Sequence, residues 1–297
     1  MPERHRPQAG KPLSRAEVDR RISNLRRHLI PPRTTREDLD QPLDPGVRVD
    51  HEGNRHKVIL VVDGVDVSWA TVVDFEQQIG ADAVRMGGIA SVGTHDDHRF
   101  RGYSRCLLEN SLRWMKQNGY HTTMLYGIPS YYPKFGYAKA FPQVRFRVAV
   151  RDAECAGQGD VSFVPFAVAN HKRALLQMYH ATNRGRNGIT RRDPGHWNGF
   201  SRGLAWNSGT IAEMAISPQG KPLGYIVFND QHLTATVIET GFTTPEVFPA
   251  LLHRAAQAAW EQRLSHIEFE LPEDDAFMGY CQSYGLHKQT DCARDGA

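Results

Sequence analysis

The stretch from Met86 to Tyr137 constrains the fold most, because it joins a strand, a basic glycine loop, a helix and a second strand without interruption. Residues 86–94 alternate small and β-branched side chains, which is typical of a strand. Gly87, Gly88 and Gly93 lie in this strand and predict either a bulge or a ligand lying against its backbone. The stretch therefore predicts an α/β fold in which a sheet carries helices on its faces.

The loop after this strand carries Arg99 and Arg101 just before the helix. Gly102 can turn tightly there, because it has no Cβ. The helix is predicted from apolar residues at helical spacing, namely Cys106, Leu107, Leu108, Leu112 and Met115. The first amides of a helix have no partner within it and lie at the positive end of its dipole. Together with the two arginines, they predict a binding site for phosphate oxygens.

These residues resemble the GNAT superfamily of acetyl-CoA-dependent N-acetyltransferases, whose signature Arg/Gln-x-x-Gly-x-Gly/Ala opens a helix after a bulged strand. Here the signature is Arg99-x-x-Gly102-x-Ser104, with serine at the last position. The run Tyr132-Pro-Lys-Phe-Gly136-Tyr137 is similar to the family's Tyr-x-x-Phe/Leu-Gly-Phe/Tyr signature. Residues 98–108 most resemble the enhanced-intracellular-survival (Eis) type, although the chain is too short for that type's sterol-carrier-like third domain.

The resemblance implies acetyl-CoA as co-substrate and no metal. It implies that the bulged strand holds the pantetheine arm and the arginine loop holds the diphosphate, through Val92, Thr94, Arg99, Phe100, Arg101, Gly102, Tyr103 and Ser104. Tyr132 matches the family's tyrosine whose hydroxyl protonates the departing sulfur. A phenol of pKa about 10 is protonated at neutral pH and can act as an acid. Tyr132 would otherwise only pack the short helix beside Tyr131 and Tyr137.

The base that deprotonates the acceptor is not identified by the sequence. A water relay is one alternative, and the candidate side chains and terminus are His95, Asp74, Glu76, Glu239 and the carboxylate of Ala297. The run His95-Asp-Asp-His98 has ligands that suit a metal. Because it lies beside an anion site with two arginines, we expect no metal there.

The length of 297 residues favours two domains. Residues 1–151 are predicted to form the catalytic GNAT domain, including a basic helix between Ser14 and Leu29. The Gly-rich segment 152–160 predicts a linker. Residues 161–297 repeat the element order faintly, with Thr240-Gly-Phe-Thr-Thr-Pro245 replacing the arginine loop. We expect tandem GNAT domains, each a mixed, mostly antiparallel sheet flanked by helices, with cofactor only in the first; an unrelated α/β second domain is the alternative.

Several further elements are predicted from periodicity and turn signals. In the first half these are strands at 57–62 and 65–79 joined by Asp63-Gly64, a strand at 121–126 and a last strand at 144–150. In the second half they are strands at 161–166, 210–217, 222–228, 235–242 and 266–271, and helices at 170–179, 245–262 and 277–285. The segment 182–193 is predicted as a long loop, followed by Trp197 as a core anchor.

Charge and composition exclude several classes of partner. A net charge of +3 is too small to indicate nucleic-acid binding, although the first 35 residues hold nine Lys/Arg against three Asp/Glu. The sequence has no run of about 18 apolar residues for a membrane span and no signal-peptide core. Its four cysteines form no Cys-x-x-Cys pair. We therefore expect a cytoplasmic protein without a nucleic-acid or membrane partner, and leave open whether it is a homo-oligomer.

The sequence thus predicts an acyltransferase that moves the acetyl group of acetyl-CoA to a primary amine by direct attack in a ternary complex. Tyr132 would be the general acid. The amine belongs to a small molecule or a peptide, and the sequence does not choose between them, because acceptor loops carry no transferable motif. The alternative is a non-catalytic acyl-CoA-binding or regulatory protein with a degenerate GNAT fold.

Overall fold

A computed structural model of the protein describes residues 34–35, 37–128, 131–138, 140–142, 144–200, 208–230, 235–289 and 295–296. These residues form two main sheets with helices packed on them. The helix predicted between Ser14 and Leu29 lies outside the described residues. No helix in the described ranges is long and apolar enough to cross a membrane.

The described strands are β1 (Val47–Glu52), β2 (Arg55–Val62), β3 (Val65–Ile79), β4 (Asp82–Thr94), β5 (Thr122–Met124), β6 (Phe141–Pro142), β7 (Arg145–Ala149), β8 (Ser162–Pro165), β9 (Thr190–Arg191), β10 (Gly209–Ile216), β11 (Pro222–Asp230), β12 (Ala235–Phe242), β13 (His266–Phe269), β14 (His287–Gln289) and β15 (Asp295–Gly296). The described α-helices are α1 (Tyr103–Gln117), α2 (Val150–Ala153), α3 (Val168–Thr182), α4 (Phe248–Glu261) and α5 (Ala276–Cys281). Short 3₁₀ turns lie at Asp38–Asp40, Asp96–His98, Tyr132–Phe135, Glu154–Ala156, Pro245–Val247 and Gln282–Tyr284.

The first sheet has the order β1-β2-β3-β4-β5, with antiparallel pairs up to β4 and a parallel pair between β4 and β5. The hairpin predicted at Asp63-Gly64 is confirmed, with φ of 52° and 78° at the two residues, as a tight two-residue turn requires. The sequence prediction missed β1, because this edge strand is mostly exposed and lacks a clear apolar alternation.

Helix α1 packs on one face of the first sheet and confirms the helix predicted after the arginine loop. Leu107, Leu108 and Met115 are buried against sheet residues such as Val58 and Val72. This packing removes a continuous apolar stripe of the helix from water, which stabilises both elements. The sheet and helix therefore hold the start of α1 in a fixed place beside the end of β4.

The three glycines of β4 make room for neighbouring side chains. A Cβ on Gly87 would lie 2.3 Å from Met115 Sδ. One on Gly88 would lie 2.9 Å from the Phe75 ring, and one on Gly93 would lie 2.7 Å from the Trp69 ring. In a close-packed interior these groups would have to move. The expected bulge is present in the same strand.

The second sheet has the order β14-β7-β13-β12-β11-β10-β8. The strand predicted at 144–150 forms as β7, but it lies in this second sheet, so the expectation that it closes the first sheet is wrong. Phe146 and Val148 are buried in the second core, and Arg147 forms an ion pair with Glu268 of β13. Alternating apolar and basic residues suit either sheet, so only the tertiary pairing decides the position. The segment predicted as a linker contains the end of α2 and a 3₁₀ turn, and both elements contact α4.

Each face of the second sheet has its own core. Helix α4 covers one face, where Ile226, Val237 and Leu251 are fully buried. Helix α3 covers the other, and Trp197 packs there against the rings of Phe166 and Phe200, which confirms it as a core anchor. The sheet is thus flanked by helices on both sides, as predicted.

The segment 182–193 is not only a loop, because it attaches the second half of the chain to the first sheet. Strand β9 pairs antiparallel with β3. The amide of Gln78 donates to the carbonyl of Ile189, and the amide of Gly188 donates to the carbonyl of Gln78. The buried side chain of Gln77 donates to the carbonyl of Gly188 at 3.1 Å. Two-residue pairings carry little hydrophobic signal, so periodicity does not reveal them.

Candidate active site

A cleft opens between the two parallel strands of the first sheet. Strands β4 and β5 pair over three positions only, and Gly88 with Met124 is the last described pair. Just beyond, β4 has one extra residue between Ala90 and Gly93 relative to β3, and Ser91 there has a φ of 51°. Such a bulge bends its strand, so β4 leaves β5 at this point.

The residues expected to contact a pantetheine arm lie on the β4 side of this cleft. Val92 follows the bulge directly, and Thr94 ends the strand. The hydroxyl of Ser68 lies 2.9 Å from that of Thr94 and donates to the carbonyl of Gly93 at 2.8 Å. Strand β3 therefore fixes the end of β4 through side-chain hydrogen bonds as well as through the ladder.

The arginine loop connects this strand end to α1. Phe100 has a φ of 62° and a fully exposed side chain, and Gly102 has a φ of 82°. A left-handed non-glycine residue is uncommon and is concentrated at functional sites. Within the described part of the chain, no carbonyl accepts from the amides of residues 100–104; the first amide of the helix with an acceptor is that of Arg105. These amides and the positive end of the helix dipole suit an anion.

Two cationic side chains stand beside these amides. Arg99 forms an ion pair with Asp96 at 2.7 Å, and both side chains are mostly exposed. Arg101 is exposed. An exposed ion pair contributes little to stability, so Arg99 can exchange its partner for an anionic ligand at small cost. Helix amides and arginine side chains together supply charge-assisted hydrogen bonds to phosphate oxygens.

Ser104, the departure from the family signature, has a partner that the sequence did not reveal. Its Oγ lies 2.9 Å from the hydroxyl of Tyr131. The first turn of α1 is thereby tied to the segment that carries Tyr132. The only signal in the sequence is the serine itself, which stands where the signature has glycine or alanine.

Tyr132 opens a 3₁₀ turn that Gly136 ends with a φ of 90°. Its ring lies on Gly127, where a Cβ would be 2.0 Å from the ring, and packs edge-on against Tyr137. Burial raises the pKa of Tyr132 above its ordinary value, with a smaller contribution from Tyr131. The phenol therefore keeps its proton at neutral pH. Since Gly127 follows β5, Tyr132 lies on the side of the cleft opposite β4.

Two of the candidate bases are held by arginines, and the others are exposed or lie outside the described residues. Both oxygens of Asp74 accept from Arg85, at 3.0 and 2.8 Å. Glu239 is held in the same way by Arg192, at 2.7 and 2.5 Å. Each oxygen of these two carboxylates therefore accepts a hydrogen bond from an arginine. His95 is exposed beside the Trp69 ring, Glu76 is exposed on β3, and Ala297 lies outside the described residues.

Other chemistry finds no support at this site. Cys106 donates to a carboxylate oxygen of Asp44 at 3.1 Å, and burial, followed by Asp44, raises the pKa of its thiol to about 12. A thiol so protonated is a poor nucleophile. Among the side chains that the structure describes, no three His, Cys, Asp or Glu residues lie together as a metal site would need.

The second sheet repeats this geometry with its cleft filled. Strand β12 has an extra residue, Ile238, and pairs parallel with β13 over three positions. The ring of Tyr225 lies where a Cβ on Gly241 would be, 2.2 Å away, and its hydroxyl donates to Glu239 at 2.9 Å. Arg192 pairs with Glu239 and stacks on Tyr179 at 3.9 Å. Side chains therefore occupy the region beyond this bulge.

The sequence of the first half matches a known domain family. Residues 34–140 match the family described as "Acetyltransferase (GNAT) domain". The chain contains a GNAT acetyltransferase domain. The match includes the bulged strand, the arginine loop and Tyr132. A comparison with curated protein sequences finds no match.

Solved structures share the fold of this chain. A GCN5-related N-acetyltransferase from Anabaena variabilis has a TM-score of 0.62 at 16% identity, covering 82% of this chain and 61% of its own. A probable N-acyltransferase of unknown function from Enterococcus faecalis has a TM-score of 0.58 at 16% identity. The match covers 73% of this chain and 55% of that protein. Eis1 from Mycobacterium abscessus has a TM-score of 0.56 at 16% identity. The match covers 96% of this chain and 70% of Eis1. The chain thus spans less than two thirds of the first two proteins.

Proposed function

We propose that the protein is an acetyl-CoA-dependent N-acetyltransferase with tandem GNAT domains. Residues 1–151, except for β7 at 145–149, form the catalytic domain; 152–160 form the linker, and 161–297, with β7 in their sheet, form a GNAT-like domain that binds no cofactor. The observation that carries the proposal is the β4–β5 cleft, which has unpaired helix amides at its mouth and a buried, protonated Tyr132 on its far side.

Donor binding follows from the groups around the cleft. Amides of residues 100–104, with Arg99 and Arg101, hold the diphosphate, and the backbone of Val92 and Thr94 holds the pantetheine arm. The bond between Ser104 and Tyr131 sets the distance between the diphosphate site and the acid. Such fixed donors stabilise charge without reorganising during the reaction.

The reaction is a direct attack of a neutral primary amine on the thioester carbonyl. A bond forms from nitrogen to the carbonyl carbon, the carbon–sulfur bond breaks, and Tyr132 donates its proton to the departing thiolate. The amine nitrogen loses one proton to water, since Asp74 and Glu239 are each held by an arginine. The products are an N-acetylated amine and a free thiol.

The acceptor is the amine of a small molecule or a peptide. We propose a cytoplasmic enzyme without a nucleic-acid or membrane partner. The test is free-thiol release from acetyl-CoA when a library of primary amines is added one by one. The proposal expects thiol release that depends on an amine and matches the acetylated product in amount. Binding of acetyl-CoA with no amine-dependent release would identify a non-catalytic acyl-CoA-binding protein instead.

One acetyl-CoA should bind per chain, because Tyr225, Arg192 and Glu239 fill the second cleft. Isothermal titration calorimetry should give a stoichiometry near one. Bound donor should also raise the melting temperature through ordinary linkage. Two equivalent sites per chain would show that the second domain retains a cofactor site.

Ser104→Ala and Tyr131→Phe should each raise the KM for acetyl-CoA by about two- to tenfold, the range for one net hydrogen bond. Both variants remove the same bond, so the double variant should lose no more than either single one. Steady-state kinetics with acetyl-CoA measure the effect. Additive losses in the double variant would mean that the two hydroxyls act separately.

A further inference from the structure

A second cavity lies far from the acetyl-transfer cleft. It has a volume of about 910 Å³ and is formed between α3, the β3–β4 turn and the segment 191–194. Asp82 at the start of β4 lines it, whereas Val92 lies ten residues along the same strand. At about 3.3 Å per residue, the two places are roughly 33 Å apart. The cavity is therefore not part of the donor site.

The side chains that line this cavity are strongly biased in charge. Lys172, Arg173, Arg184 and Arg191 line it, and Asp82 is the single carboxylate among its lining residues. None of the four cations forms an ion pair with the described residues, whereas the neighbouring Arg186 and Arg192 do. Such a row of unneutralised cations in a concave surface attracts anions.

Nearby carboxylates do not neutralise the cavity. Asp193 is close enough to Lys172 to feel its charge, but its hydrogen bonds come from the amide of Gly195 and from His196. Glu76 faces Arg191 across the β3–β9 pair without an ion pair between them in the described structure. The cavity thus keeps its positive charge for a ligand.

The spacing of the cations along α3 sets the shape of the ligand. Lys172, Leu176 and His180 follow one another at intervals of four residues along α3, and Arg184 lies two residues past its end and lines the same cavity. From Lys172 to His180 the helix runs about 12 Å at 1.5 Å per residue, and Arg184 extends the row beyond it. A single phosphate reaches only one cation at a time. An extended peptide of about six residues covers this length.

The row also has an apolar part. Leu176 lies between the cations and is almost fully buried, and Val168 and Pro194 line the same cavity. A ligand that combines carboxylates with apolar side chains therefore matches the surface better than a purely ionic one.

We propose that this cavity, the α3 groove, binds an acidic peptide segment of a partner protein in which carboxylates alternate with apolar side chains. The segment lies along α3 with its carboxylates on Lys172, Arg173, Arg184 and Arg191. Its apolar side chains contact the exposed Val168 and Pro194. The groove is a docking surface that works independently of acetyl transfer.

The test uses a fluorescein-labelled Glu-Leu-Glu-Glu-Leu-Glu peptide, with Lys-Leu-Lys-Lys-Leu-Lys as the charge-reversed probe. Fluorescence anisotropy on the full chain, without acetyl-CoA, should show saturable binding of the acidic peptide only. This binding should weaken about tenfold or more when salt rises from about 0.02 to 0.5 M, because screening shortens the reach of the cations.

The variant Arg173→Glu/Arg184→Glu changes two exposed side chains of the groove and should weaken binding about tenfold or more. The matched control Arg151→Glu/Lys221→Glu reverses two exposed charges outside it and should bind like the wild type. Circular dichroism checks that both remain folded. Three results would each overturn the proposal. They are the absence of saturable binding by the wild type, equal weakening in the control, and tighter binding of inorganic tripolyphosphate than of the peptide at the same residues.

Discussion

Tyr132→Phe is expected to lower kcat by about 100-fold or more, the usual range for a positioned general acid. The substitution keeps the ring that packs on Gly127 and Tyr137 and removes only the proton donor. The affinity for acetyl-CoA should stay nearly unchanged, because the donor is held by the strand and loop on the other side of the cleft. Steady-state kinetics together with calorimetry separate the two effects.

The matched control for this variant is Tyr280→Phe in the second domain, which also removes a hydroxyl, hydrogen-bonded there to Tyr284. Tyr131→Phe does not serve, because its hydroxyl holds Ser104. Since burial raises the pKa of Tyr132, loss of its proton should not limit kcat below a pH of about 10. Full turnover of Tyr132→Phe with intact donor binding would show that the proton comes from another group.

Arg192→Ala should lower the free energy of unfolding by about 3–5 kcal/mol, the range for removing one partner of a buried ion pair. Arg192 and Glu239 are largely buried, and the guanidinium also stacks on Tyr179. Its loss leaves the carboxylate without a counter-charge in the core of the second domain. Urea unfolding followed by circular dichroism measures the change.

The double variant Arg192→Leu/Glu239→Leu distinguishes the cost of an unpaired charge from the loss of packing. It should be more stable than Arg192→Ala, because neither charge remains buried. Arg48→Ala, which removes an exposed arginine that pairs with Asp50 and Asp66, is the surface control and should change stability little. A loss in Arg192→Ala no larger than that in the surface control would mean that the buried pair does not stabilise this domain.

Local patterns in the sequence predict most of the elements. Strands β3 and β12 have the predicted bounds, since their alternation is long and ends at clear turn residues. Helix α1 follows from its apolar stripe and from Gly102 at its start. These signals depend on neighbouring residues along the chain, which is why they are visible without a structure.

Long-range pairing is what the sequence does not reveal. Strand β7 joins the second sheet because Phe146 and Val148 reach that core, and β9 joins the first sheet through only two residues. Neither choice leaves a periodic signal. The same holds in the site, where the partner of Ser104 is Tyr131, 27 residues away along the chain. Likewise, only the fold shows that arginines already hold Asp74 and Glu239.

The most direct test of the proposed function is a crystal structure of the protein with acetyl-CoA. The account predicts diphosphate oxygens on the amides of residues 100–104 and the pantetheine arm between β4 and β5. It also predicts the thioester sulfur within about 3–3.5 Å of the Tyr132 hydroxyl, the reach of a proton donor. Donor density in the second domain, or a sulfur on the far side of the sheet from Tyr132, would contradict it.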